Sequence, residues 1–125
     1  MGLGEDLYNK NKPISSSEFL DDVRAIAGAI KIMDPTVFLY MFGSVATNSA
    51  TTYSDLDIAV VCENYEKKES LKKLFYSKKR MTTCSLDIVF LSQSQYENDI
   101  ENPIAQVIKT EGIQLYPDWK WNHGQ

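Results

Sequence analysis

The order in which short apolar runs and helical repeats follow one another constrains this chain more than any other feature of its sequence. Residues 37–42, VFLYMF, are apolar, few, and bounded by a proline turn and a glycine, which suits a buried strand better than a helix. Residues 55–62 and 85–91 read as a second and a third strand, and residues 113–116 as a short fourth. Helical patterns fill the intervals. Ser15 and Glu18 have the spacing of a capping box, and Phe19, Leu20, Val23, Ile26, Ala27 and Ile30 recur on one face until Asp34-Pro35 stops the helix. Residues 66–79 read as an exposed helix with Leu71, Leu74 and Phe75 turned inward. Residues 93–111 read as a helix interrupted at Pro103 and ended by Gly112. This alternation predicts an α/β (α+β) fold in which helices cover a small mixed sheet of about four strands.

At 125 residues the chain suits one domain, expected over residues 15–118 between a polar, loosely held leader (1–14) and a short tail (119–125). A formal charge of −4 disfavours a general nucleic-acid binder, since such a surface repels a polyanion. The apolar runs are too short to cross a bilayer, and the N-terminus lacks a basic region followed by an apolar core. Cys62 and Cys84 each lie in an apolar run without CxxC spacing, so buried reduced thiols and a cytoplasmic location are expected.

Chemistry concentrates in FGSVATNSATTYSDLDIAVV, where Gly43-Ser44 is followed after ten residues by Asp55-Leu56-Asp57. Two residues apart on a strand, Asp55 and Asp57 project from one face. Such carboxylates repel unless a cation or proton neutralises them, and their hard oxygens suit Mg²⁺ or Mn²⁺. Asp87 sits between apolar neighbours in SLDIVFL, where a charge buried without a partner would be costly. On a strand beside the first pair it would complete a three-carboxylate site able to hold two metals. Gly43 allows a tight turn and close approach, and Ser44 adds a hydroxyl and an amide, so the natural guests of this turn are phosphate oxygens.

These motifs resemble those of the DNA polymerase β-like nucleotidyltransferases, and in particular the minimal nucleotidyltransferase (MNT) domains. The resemblance is close over residues 37–91 and returns in the ending EGIQLY. It implies that Asp55, Asp57 and Asp87 are the catalytic and metal-holding residues. It also implies that Gly43, Ser44, Thr47, Asn48 and Ser54 line the nucleotide site, with ATP or another nucleoside triphosphate as substrate. Many relatives carry a basic residue and a glycine where this chain has Thr47 and Asn48. Asn tolerates the left-handed conformation that the glycine would adopt, whereas Thr brings no positive charge to the phosphates. The family pattern further implies an antitoxin of a toxin-antitoxin pair that adds AMP to a tyrosine of a HEPN-type RNase partner. Related enzymes modify small hydroxylated compounds such as aminoglycosides or lincosamides, usually with an extra helical domain. A non-catalytic protein that only binds and masks a partner is the third reading.

Two further features have plain explanations. Lys67, Lys68, Lys72, Lys73, Lys78, Lys79 and Arg80 are interleaved with Glu66 and Glu69 and read as a solvated helix face. Trp119 and Trp121 suit either a docking patch or packing back onto the domain. His123, the only histidine, lies at the chain end and receives no role.

Overall fold

A computed structural model describes residues 12–77 and 82–122. Ser15 opens a 3-10 turn, Ser16–Phe19, that runs into α1 (Leu20–Met33). Its hydroxyl accepts the Ser17 amide. The tighter winding of the 3-10 turn therefore replaces the expected capping box with Glu18. Next come β1 (Phe38–Phe42), the single turn α2 (Gly43–Ala46), β2 (Leu56–Cys62), α3 (Tyr65–Tyr76) and β3 (Leu86–Ser92). A reciprocal capping box stands instead at Ser92 and Gln95, where it starts α4 (Gln93–Glu97). Asn102 caps α5 (Pro103–Glu111) by accepting the Ala105 amide, with Pro103 in the first turn. The break expected at Pro103 is thus a boundary between two helices. Strand β4 (Ile113–Tyr116) follows directly.

The four strands form one mixed sheet in the order β3-β2-β1-β4, antiparallel except for the β2–β3 pair. Central strand β2 is buried at every position but Asp57, as expected of a strand covered on both faces. One face packs Leu39, Met41, Ile58, Val60, Ile88 and Phe90 against α1 and α3, through Val23, Ile26, Ile30, Leu71 and Phe75. Leu74 departs from expectation: it is 42% exposed, because Leu71 and Phe75, four apart, already define the inner stripe of α3. On the other face a smaller cluster joins Ala59, Leu91 and Ile108 to Tyr40, Phe42, Val89 and Tyr96.

The chain outside the sheet is tied to it at both ends. Lys12 O accepts the Thr52 amide, Ile14 N donates to Ala50 O, and Pro13 bridges Thr51. The last residues of the expected leader therefore lie along the segment that leads to Asp55; residues 1–11 are outside the described region. Trp121 is buried in the main core while Trp119 lies beside it with its ring tilted and donates its indole N–H to Trp121 O. The packed core therefore continues past residue 118. Cys62 is buried and unbridged, and Cys84 is partly buried and unbridged. Among the described residues no helix is long and apolar enough to cross a membrane.

Candidate active site

The parallel register of β2 and β3 places Asp57 directly opposite Asp87. Asp55 lies one residue before β2, exposed, on the same alternation as Asp57. The antiparallel register sets Phe42 against Asp57, so the chain leaves β1 and enters the Gly43 turn beside that carboxylate. Gly43 has a φ of +77°, and a Cβ built on it would collide with the Asp57 carboxyl. Only glycine lets the backbone pass so close in this conformation. The structure therefore brings Gly43, Asp57 and Asp87 together, with Ser44 next in the turn and Asp55 at the strand end.

Burial, then the negative charges of Asp87, Asp55 and Glu111, push the Asp57 carboxyl up to about 6. Among the described residues the ion pairs are Lys67–Glu63, Lys68–Glu69 and Lys109–Asp99, and none reaches this cluster. The donor set is thus a group of hard oxygens held in mutual repulsion, and its chemistry fits a divalent cation. No three acidic, His or Cys side chains among the described residues converge into a finished metal cage. Asp55, Asp57 and Asp87 are the residues that would hold such an ion.

The remaining expected nucleotide-site residues shape the loop between the Gly43 turn and Asp55. Thr47 ends α2, its hydroxyl within 3.2 Å of Gly43 O and 2.9 Å of Ser49 Oγ. Asn48 takes the left-handed conformation at φ 59°, and its side-chain oxygen lies 3.1 Å from the buried Ser16 hydroxyl. Asn48 thus takes the left-handed conformation expected of it. Ser54 Oγ accepts the Thr51 amide at 2.8 Å and folds the turn that delivers Asp55. In the described conformation Thr47 and Ser54 are engaged with neighbouring protein groups.

Sequence reasoning assigned no role to Glu111, whose side chain accepts the Gly43 amide at 3.1 Å from the end of α5. Its one signal was its place in EGIQLY. Asp22 was also passed over. It is buried on α1 and accepts the Thr83 amide, the Thr83 hydroxyl and the Cys84 amide, which anchors the approach to β3. Nothing local marks it, because it lies on the helix that was read only for its apolar face. On α3, Lys67 pairs with Glu63 and Lys72 and Lys73 are exposed, as expected of a solvated face, whereas the largely buried Lys68 side chain pairs with Glu69 and donates to Gln95 Oε1 at the start of α4. Lys78, Lys79, Arg80 and His123 lie outside the described residues.

The family model described as polymerase beta, nucleotidyltransferase matches residues 26–118. A protein of Sulfolobus solfataricus, provisionally named a nucleotidyltransferase and solved by crystallography at 1.40 Å, shares the fold with a TM-score of 0.51. That likeness covers 87% of each chain at 17% sequence identity. No curated protein matches the chain. The family match spans all four strands, the Gly43 turn and the three aspartates, and the chain belongs to the polymerase β nucleotidyltransferase family.

Proposed function

We propose that the protein transfers AMP from Mg-ATP to a hydroxyl acceptor, and that the acceptor is a tyrosine of a HEPN-type protein partner, as in an antitoxin of the MNT type. The observation that carries the transfer reading is the alignment of Asp57 with Asp87 across β2 and β3, with Gly43 packed on Asp57. Divalent cations on Asp55, Asp57 and Asp87 would supply charge neutralisation for the triphosphate and for the pyrophosphate that departs. The acceptor oxygen attacks the α-phosphorus in line, the bond to the pyrophosphate oxygen breaks, and the acceptor's proton passes to a carboxylate. Asp87 suits that last role because it is exposed and can meet an incoming hydroxyl. Gly43 lets the turn approach the β- and γ-phosphates closely, and Ser44 offers them its amide and hydroxyl, the Gly43 amide itself being held by Glu111. The cytoplasm, where ATP is abundant and thiols stay reduced, is the compartment proposed for this activity.

The test mixes the protein, Mg²⁺ and α-labelled ATP with the product of the neighbouring gene and looks for label on that protein. AMP mapped to a tyrosine supports the full reading. Label on a free hydroxylated compound, with the neighbour unlabelled, would keep the enzyme and replace the acceptor. Tight binding of the neighbour without any labelled product would favour the masking role, toward which the uncharged Thr47 leans.

A further inference from the structure

The end of α5 reaches the turn that carries Gly43. Pairing of Met41 with Ile113 in the β1–β4 ladder brings the junction between α5 and β4 to that end of the sheet. There the Glu111 carboxylate accepts the Gly43 N–H at 3.1 Å, across 68 positions of sequence. This amide opens a helical turn, so it has no carbonyl of its own helix to meet. Gly43 in turn lies against the Asp57 carboxyl so closely that no Cβ would fit between them. Glu111, Gly43 and Asp57 therefore form one stack, in which the place of the Gly43 backbone limits where the Asp57 carboxylate can go.

A fourth carboxylate at this point carries a cost, because its charge adds to the repulsion on Asp57. What it contributes in return is a hydrogen-bond acceptor for the turn. The transfer chemistry described above does not require Glu111 to touch substrate. We propose that Glu111 is a positioning residue of the site, fixing the Gly43 turn against Asp57 through its side-chain oxygen; this inference rests on the nucleotidyl-transfer reading. If an acceptor oxygen is what matters, Gln can stand in for Glu at 111, and Ala cannot.

The experiment compares wild type, Glu111→Gln and Glu111→Ala by hydrogen exchange at the Gly43 amide and by calorimetric titration with Mg-ATP. Exchange at Leu39 and Val60, both in the core of the sheet, reports whether the fold is intact. Glu111→Gln should keep the Gly43 amide protected and bind Mg-ATP within about threefold of wild type. Glu111→Ala should lose that protection and bind about tenfold more weakly, the scale of one charge-assisted hydrogen bond, with Leu39 and Val60 unchanged. Wild-type behaviour of Glu111→Ala in both measurements overturns the proposal. So does an equal loss in Glu111→Gln and Glu111→Ala, because charge rather than an acceptor oxygen would then be at work. If wild type itself binds no Mg-ATP, the transfer reading fails and the Gly43 amide decides alone. Protection lost only in Glu111→Ala then supports the positioning role, and protection kept in that variant overturns it.

Discussion

Asp57 is disfavoured as a charge on two counts, since it is partly buried on β2 and Asp87, Asp55 and Glu111 all repel its charge. Asp57→Asn keeps the shape and removes the repulsion. The expected outcome is loss of nucleotidyl transfer together with a gain of about 1 kcal/mol in unfolding free energy without metal, read by activity assay and urea titration. Near-normal turnover in this variant would remove Asp57 from the mechanism. Gly43→Val adds a branched side chain where the backbone is left-handed and the Asp57 carboxyl already fills the space. It should abolish measurable Mg-ATP binding and cost about 1–3 kcal/mol of stability. Asp22 shows the opposite electrostatics. Burial raises its carboxyl, but hydrogen bonds from Thr83 and Cys84 outweigh burial and hold it below the usual value. A depressed carboxyl contributes stability above its unfolded pKa and loses it as pH falls through the folded value. Asp22→Asn offers one acceptor in place of two, so at pH 7 it should cost about 1–3 kcal/mol. The gap between variant and wild type should shrink as acidification carries the pH below the usual carboxylate range and the wild-type carboxyl is protonated in its turn.

Helix α3 packs through Leu71 and Phe75, and its second leucine, Leu74, points outward. Leu71→Ala should therefore destabilise the fold by about 2–4 kcal/mol, while Leu74→Ala stays within about 0.5 kcal/mol, both measured by denaturant unfolding. A large effect at Leu74 would mean that another surface covers it. The contrast shows where sequence reading stops. Apolar periodicity identifies a helix, but whether 71/75 or 71/74/75 forms the stripe depends on the angle at which α3 crosses the sheet. The same limit appears at the helix starts: Ser15-Glu18 and Ser92-Gln95 both have capping-box spacing, and only the second closes the box. Strands were more legible, because each is a short apolar run between turn residues and all four fall where expected. Asp55 and Asp57 stood out as carboxylates two apart on one strand, Asp87 as a charge between apolar neighbours, Gly43 as a residue for a tight turn and Asn48 as one that tolerates positive φ. The opposition of Asp57 to Asp87 depends on β2–β3 register, and the reach of Glu111 on β1–β4 pairing. Such long-range pairings leave no local mark. Fold and aspartates could thus be read from the chain, whereas the groups that support them from α1 and α5 could not.

At the scale of the molecule, the placement of Asp87 has a consequence for rate. Strand β3 is an edge strand, and Asp87 is exposed on it, so a second molecule can approach the carboxylates from outside the sheet. Under the proposed function that molecule carries the acceptor hydroxyl. The protein alone should then turn Mg-ATP over very slowly, because water is not held in line with the α-phosphorus. Fixing two reactants in an attack geometry can be worth roughly 7–11 kcal/mol of barrier, far more than any single hydrogen bond in the site supplies. A partner that docks beside β3 and presents a tyrosine should therefore raise the rate of AMP transfer by several orders of magnitude. The same partner with that tyrosine changed to Phe should bind equally well and give no acceleration. The measurement is pyrophosphate release from Mg-ATP with protein alone, with partner, and with the Tyr-to-Phe partner. Equal rates in all three mixtures would show that the partner contributes no acceptor, and would shift the assignment toward a free small-molecule acceptor or a masking role.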